Sequence, residues 1–92
     1  MSGQGVHVFI TGRVQGVFFR QSMKAKAIQN SVTGWVRNLK DGRVEAVMEG
    51  TDKDVAVMIE WCHGGPANSI VEDVVIKKEE YTGSFDTFVV RY

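Results

Sequence analysis

A glycine-containing segment that ends in an arginine is the part of this sequence whose residue types could do chemistry. It reads Gly12-Arg13-Val14-Gln15-Gly16-Val17-Phe18-Phe19-Arg20. Glycine permits backbone conformations that are closed to other residues, so successive N–H groups can point at one centre and bind an anion. The planar guanidinium of Arg20 can hold two phosphate oxygens at once, and a helix that starts there adds the positive end of its dipole. The segment therefore predicts a phosphate-binding loop over residues 14–19 that ends at Arg20.

Two nucleotide-binding motifs do not fit this loop. Gly12 and Gly16 stand four residues apart, which differs from the G-x-G-x-x-G pattern of dinucleotide sites. No Gly-Lys-Ser/Thr follows, so the Walker pattern is missing too, and nothing here is typical of a nucleotide–magnesium site. On spacing alone, an ordinary strand-to-helix turn with a surface arginine remains an alternative.

Asn38 is the second candidate for chemistry. It lies in the segment Gly34-Trp35-Val36-Arg37-Asn38-Leu39-Lys40-Asp41-Gly42, where a strand is predicted to end and a hairpin to begin. Its amide can donate and accept hydrogen bonds at once, which suits it to orient a water molecule. The alternative is that Asn38 only shapes the turn.

The elements that must position these residues follow from hydrophobic periodicity. Alternating β-forming residues predict strands over residues 6–11, 33–38, 43–49, 71–79 and 85–92. Residues 20–30 favour a helix in which Met23, Ala27 and Ile28 could share a face.

The second helix has the clearest pattern. Thr51 or Asp52 can cap it, and Gly64, Gly65 and Pro66 end it after Cys62. One apolar stripe consists of Val55, Met58, Ile59 and Cys62, at helical spacing.

The element order predicts an α+β fold over a single domain, residues 1–92. The order βαββαβ with an additional C-terminal strand is typical of the ferredoxin-like two-layer sandwich, with two helices on one face of a mostly antiparallel sheet. Right-handed crossovers place the first two strands parallel with the third between them, so the loop after the first strand and Asn38 should be neighbours. The place of the last strand does not follow from the sequence.

Composition excludes several classes of function. Eleven basic and eleven acidic residues give a net charge of zero, which argues against a broad nucleic-acid footprint. No apolar run reaches the length of a membrane span, and residues 1–5 lack the features of a signal peptide. Cys62 is the only cysteine, so no intrachain disulfide can form and the cytoplasm is the expected compartment.

Other reactive side chains have simpler interpretations. The two histidines, His7 and His63, are expected in solvated or capping roles, and Cys62 lies on the apolar stripe and is expected in the core. No cluster of Cys, His, Asp and Glu has ligand spacing, so we expect no metal and no cofactor. Trp35 and Trp61 are expected to pack, although Trp35 could flank the site.

The two segments resemble the two signatures of the acylphosphatase family. The first is residues 12–20 and the second is residues 34–45, and Gly50, Gly65-Pro66 and Val71 also fit. The resemblance extends from Val6 to Tyr92. It implies hydrolysis of the carboxyl-phosphate bond of small acyl phosphates to a carboxylate and inorganic phosphate, without a metal. Inorganic phosphate would be both product and competing anion.

The resemblance also implies roles for individual residues. It assigns the phosphate-binding arginine to Arg20 and the water-positioning asparagine to Asn38. The phosphate cradle falls on the backbone of five residues, Gln15, Gly16, Val17, Phe18 and Phe19. Phe18 stands where many members have glycine, and Ser69 where alanine is common. Phe18 could narrow the mouth of the loop.

Two further functions stay open at this point. The same domain could hold a phosphate or carbamoyl phosphate inside a larger machine without catalysis. The fold plan also supports RNA-recognition sheets, with Phe9 as one exposed aromatic candidate, but the neutral charge and the missing RNP pattern argue against that function.

Overall fold

Five strands and two helices form the chain in the predicted order. The structure, a computed structural model, describes residues 3–92, so the first two residues of the predicted domain lie outside it. The elements are β1 (Gly3–Arg13), α1 (Phe19–Gln29), β2 (Thr33–Asn38), β3 (Val44–Thr51), α2 (Asp52–Cys62), β4 (Ile70–Glu79) and β5 (Phe88–Val90).

The sheet has the strand order β4-β1-β3-β2-β5. β3 pairs antiparallel with both β1 and β2, so β1 and β2 run in the same direction with β3 between them. β4 pairs antiparallel with β1, and β5 pairs parallel with β2. The predicted ferredoxin-like α+β sandwich is confirmed, and the carboxyl ends of β1 and β2 meet at one edge.

Side-chain alternation places the core between the sheet and the helices. β1 buries Val6, Val8 and Ile10 against the helices. α2 buries Val55, Met58 and Cys62, as its stripe predicted. Thr51 is its N-cap, with its hydroxyl accepting from the Asp54 N–H at 3.1 Å.

The first helix differs from the prediction in its buried face. It buries Phe19, Met23 and Ala27, which recur at every fourth position, whereas the side chain of Ile28 is 52% exposed. Ile28 is one residue further round the helix than Ala27, and that rotation turns it towards solvent. The helix begins one residue before the predicted start, at Phe19.

Most strand limits also differ from the predicted ones: β1 starts at Gly3, β3 covers Val44–Thr51 and β4 starts at Ile70. β1 continues through Gly12 and Arg13, because both pair with β4 after an irregularity in the register, and the connection from β1 to α1 is therefore residues 14–18. The last strand covers only Phe88–Val90 instead of residues 85–92. The segment before it is held instead by the buried carboxylate of Glu49, which accepts hydrogen bonds from the Thr82 N–H and hydroxyl and from the Gly83 N–H.

Among residues 3–92, no helix is long and apolar enough to cross a bilayer.

Candidate active site

A cavity of about 290 Å³ lies where β1 and β2 end and α1 begins. Its lining residues are Val14, Gly16, Phe18, Phe19, Arg20, Gln21 and Asn38. The strand topology therefore brings the two segments singled out by sequence to one site.

The loop from β1 to α1 is anchored in the core at both ends. Val14 and Phe19 are buried, and the Phe19 ring packs on Trp61 with centroids 5.2 Å apart. Between these anchors Gly16 faces the cavity with a positive φ of 74°, and apart from Gly16 and its two neighbours no atom of residues 3–92 lies within 4 Å of the place where a Cβ would be. Backbone conformation, rather than lack of space, therefore requires glycine there.

Phe18 occupies the N-cap position of α1 in an unusual conformation. Its φ of 62° and ψ of 25° lie in the left-handed region, which a side chain other than glycine rarely adopts. Its side chain is 81% exposed at the rim of the cavity. A glycine at this position would adopt the same conformation without strain.

The N-terminus of α1 is unusually free for an anion. Phe18, its N-cap residue, makes no side-chain cap hydrogen bond, and the first turn of α1 has no acidic residue. By contrast, α2 carries the Thr51 cap and both Asp52 and Asp54 in its first turn. The first N–H groups and the positive dipole end of α1 therefore have no side-chain anion of their own.

Arg20 lies in this first turn and lines the cavity. Its guanidinium lies 4.9 Å from the centroid of the Tyr92 ring, and its Nη1 donates to the backbone oxygen of Arg91 at 3.5 Å. The C-terminal residues thus contact the predicted phosphate-binding side chain. Gln21 makes a parallel contact, from its Nε2 to the Tyr92 hydroxyl at 3.4 Å.

Asn38 is the last residue of β2 and faces the same cavity. Its Oδ1 is buried and has no hydrogen-bond partner among residues 3–92. The turn that follows is closed by other groups: the Leu39 N–H donates to Arg43 at 2.8 Å, and the Gly42 N–H donates to Leu39 at 3.2 Å. A buried acceptor without a partner normally costs about 1–3 kcal/mol, so its retention suggests a ligand.

The adjacent hairpin is further stabilised by Asp41. Its carboxylate accepts from the Arg43 N–H at 3.1 Å and from the Arg43 side chain at 2.9 Å. The backbone hydrogen bond from Arg43 holds the pKa of the Asp41 carboxyl below its ordinary value.

Gln15 and Val17, both predicted to bind substrate, do not line the cavity. The Gln15 side chain turns away from it, and Nε2 donates to the backbone oxygens of Leu39 at 2.8 Å and Arg43 at 2.9 Å. Val17 packs against the core. Val14, which belongs to the predicted loop but not to the five predicted cradle residues, lines the cavity as well. Gln21 also lines it without having been predicted, and only its place next to Arg20 in sequence could have indicated it.

Comparison with known proteins identifies the family. Residues 6–90 match the sequence model of the family described as Acylphosphatase. The chain belongs to the acylphosphatase family. It is 51% identical over 87 residues to the acylphosphatase of Syntrophus aciditrophicus, covering 95% of this chain and 91% of that protein. It is also similar to a solved acylphosphatase from Coxiella burnetii, with a TM-score of 0.93, 37% identity, and coverage of 98% and 94% of the two chains.

The fold also occurs inside a larger protein. A segment of full-length HypF superposes with a TM-score of 0.86 at 22% identity, covering 99% of this chain but 12% of that one. At that identity the likeness concerns the fold alone.

In this acylphosphatase-family chain, the other reactive side chains lie away from the cavity. Burial raises the pKa of the Cys62 thiol to about 12, consistent with its expected place in the core. Among residues 3–92, no group of three or more His, Cys, Asp and Glu side chains could hold a metal ion.

His7 differs from the solvated or capping role expected of it. It is half-buried on the sheet face opposite the helices, with Nε2 2.6 Å from Glu45 and Nδ1 3.2 Å from Glu79. Arg37 contacts the other oxygen of Glu45 at 2.6 Å. The side chains of His7, Glu45, Glu79 and Arg37 therefore form one connected polar cluster across this face of the sheet. His63, by contrast, contacts the Ile59 backbone oxygen at 2.9 Å, as a capping residue does.

The aromatic side chains of this open face are covered by the chain's own cations. Arg43 lies 5.1 Å from the Phe9 ring centroid, and Lys77 lies 5.6 Å from it. Trp35 is on the same face, with Arg91 at 4.5 Å from its ring, and it does not line the cavity. Trp35 therefore packs with cations rather than flanking the site.

Proposed function

We propose that this chain hydrolyses the carboxyl-phosphate bond of small acyl phosphates, giving a carboxylate and inorganic phosphate. The observation that carries the proposal is the buried, unpartnered Oδ1 of Asn38 in the same cavity as Arg20. The guanidinium of Arg20 suits a phosphate, and the amide of Asn38 suits a water molecule. Membership of the acylphosphatase family supports the proposed reaction.

The phosphate is held by charge and by backbone donors. Arg20 grips two of its oxygens, while backbone N–H groups of the loop residues that line the cavity, Gly16, Phe18 and Phe19, and the positive end of α1 surround the others. Phe19 contributes only its backbone, because its ring is buried in the core. The exposed ring of Phe18 stands at the rim, where the acyl group of the substrate would leave the cavity.

Asn38 accepts a hydrogen bond from the attacking water molecule. This hydrogen bond orients the water so that a lone pair of its oxygen points at phosphorus. The water oxygen bonds to phosphorus as the bond from phosphorus to the acyl oxygen breaks, and the carboxylate leaves with the electron pair. The water proton passes to an oxygen of the phosphate itself, since the residues that line the cavity include no carboxylate or imidazole base. A loose phosphoryl transition state needs mainly positioning and charge stabilisation, which these groups supply.

The proposal includes catalysis without a metal or other cofactor. The cavity is lined by one guanidinium, two side-chain amides and apolar groups, a donor set that suits an anion rather than a divalent cation. The leaving carboxylate needs no further activation, and Arg20, the loop N–H groups and the positive end of α1 together stabilise the phosphate charge.

The experiment is turnover of benzoyl phosphate by the purified chain after exhaustive chelation. We expect full activity with EDTA present, competitive inhibition by inorganic phosphate, and no recovery on adding magnesium. Loss of turnover on chelation with restoration by magnesium would overturn metal independence, and no turnover under either condition would overturn the proposed reaction.

The second candidate is a non-catalytic module that holds phosphate or carbamoyl phosphate within a larger assembly. The observation that favours it is the N-terminus of α1 beside Arg20, which would bind a phosphate whether or not Asn38 orients a water molecule. Binding of inorganic phosphate without any turnover of acyl phosphates would favour this function over catalysis.

The proposal further treats residues 1–92 as one domain that acts in the cytoplasm, without a nucleic acid or membrane partner. The buried thiol of Cys62 and the balance of charges support it. The cations that already cover Phe9 and Trp35 leave these rings less free to stack on bases.

A further inference from the structure

The side chain of Gln15 joins the phosphate loop to the hairpin that carries Asn38. Its single amide nitrogen donates to Leu39, the residue after Asn38, at 2.8 Å and to Arg43, across the turn, at 2.9 Å. We infer that Gln15 is a positioning residue, which sets where Asn38 lies relative to the bound phosphate. The inference rests on the proposed function and extends it to a side chain that does not line the cavity.

The two hydrogen bonds of Gln15 clamp both arms of the turn. The Arg43 oxygen that accepts from Gln15 also accepts from the Leu39 N–H at 2.8 Å. The amide thus fits a pre-formed pair of carbonyls and uses both of its hydrogens on them. These contacts are part-buried, so water competes poorly for them.

The rest of the site makes such a link necessary. The loop is anchored to the core through Val14 and Phe19, whereas Asn38 belongs to β2 and to the turn beyond it. Attack in line with the leaving group tolerates little error, since a displacement of about 1 Å can cost on the order of a hundredfold in rate. A link between the phosphate cradle and the residue next to Asn38 limits that displacement.

Gln15→Met tests the link with little change in side-chain size, because methionine is about as long but donates no hydrogen bond. We expect kcat for benzoyl phosphate to fall by roughly tenfold or more, by misplacement of the water. Inhibition by inorganic phosphate should change by less than about threefold, because Arg20 and the loop amides remain.

Gln15→Glu adds a readout in the pH profile. Its carboxylate would face two carbonyl oxygens and repel them, whereas its protonated form can donate one hydrogen bond. We therefore expect kcat of Gln15→Glu, relative to the parent, to rise as the pH is lowered from 7 towards 5. A ratio that stays constant with pH would contradict the donor role.

A double-mutant cycle with Asn38 separates positioning from simple stability. If Gln15 acts through Asn38, then Gln15→Met should cost less than about twofold in kcat when Asn38 is already alanine. In an Arg20→Lys background, the full loss from Gln15→Met should persist. Equal losses in every background would overturn the inference.

Thr51→Ala is the matched control, because it also removes a side-chain hydrogen bond to the backbone, at the N-cap of α2. It should lower the unfolding midpoint and leave kcat per folded molecule unchanged. If Gln15→Met behaves in the same way, Gln15 only stabilises the fold and the inference fails. If Asn38→Ala itself leaves kcat normal, the proposed role of Asn38 fails instead, so the two failures are distinguishable.

Discussion

The guanidinium of Arg20, in the first turn of α1, lies over the ring of Tyr92, the last residue of the sequence, 4.9 Å from its centroid. The planar cation can stack on the ring with one face while its edge N–H groups point at a ligand. The contact therefore limits the rotamers of Arg20 before phosphate arrives, which lowers the entropy cost of binding.

Arg20→Lys should abolish most phosphate binding and most turnover. Lysine keeps the positive charge but loses the two-point grip and the planar stack on Tyr92. We expect kcat/KM for benzoyl phosphate to fall on the order of a hundredfold or more, with inorganic phosphate becoming a poor inhibitor. Steady-state kinetics with phosphate titration checks this. Near-normal kinetics would remove Arg20 from the site. Lys24→Arg, on the same helix, is the control and should change nothing.

Asn38→Ala should lower turnover while leaving phosphate affinity almost unchanged. An amide that orients water acts mainly in the transition state, so its loss should reduce kcat by roughly a hundredfold. The variant should be as stable as the parent, or more stable, because a buried acceptor without a partner is removed. Kinetics, phosphate inhibition and urea unfolding are measured on one preparation. A variant that is about 1 kcal/mol less stable but fully active would show that Asn38 only shapes the turn.

Phe18→Gly tests the left-handed residue at the rim of the cavity. Relief of about 1 kcal/mol of backbone strain is offset by the larger unfolded-state entropy of glycine, so the unfolding free energy should change by less than about 0.5 kcal/mol. Ala25→Gly, inside α1, should instead cost about 1 kcal/mol.

The same Phe18→Gly variant also tests substrate preference. The exposed ring offers an aromatic acyl group a contact of about 0.5–1.5 kcal/mol. KM for benzoyl phosphate should therefore rise severalfold, while KM for acetyl phosphate stays constant. Equal changes for both substrates would show that the ring affects the loop and not the acyl group.

Glu45→Gln should destabilise the fold in a pH-dependent manner. Burial raises the pKa of Glu45, but hydrogen bonds from Arg37 and His7 outweigh that effect, so the pKa lies below its ordinary value of 4.5. A carboxyl whose pKa is lower in the folded protein than in the unfolded chain stabilises the fold at pH values above its unfolded-state pKa. That stabilisation is lost as the pH falls through the folded-state pKa.

We therefore expect Glu45→Gln to lose about 1–3 kcal/mol at pH 7, with the difference from the parent narrowing below about pH 4.5. Urea unfolding of both proteins at pH 7 and at pH 3.5 measures this. Glu72→Gln, at an exposed position, is the control and should match the parent at both pH values. A gap that is the same at both pH values would contradict the ionic origin of the stabilisation.

Local patterns in the sequence determined the elements and the candidate site. Alternation at Val6, Val8 and Ile10 and the stripe of α2 depend only on which side chains can be buried in a regular strand or helix. The rule that crossovers are right-handed then placed the ends of β1 and β2 side by side. For that reason the sequence alone predicts that the loop up to Arg20 lies near Asn38.

Only the tertiary structure decided the contacts that join distant parts of the chain. The amide of Gln15 reaches a hairpin 24 and 28 residues away, and the Nη1 of Arg20 reaches the oxygen of Arg91, 71 residues away. No periodicity encodes such pairs, because they depend on sheet register and on where β5 lies. β5 pairs with β2, and the segment before it is held by Glu49, a buried carboxylate whose partners no local pattern reveals. The sequence thus indicates which groups could act, while their positions follow from packing of the whole sheet.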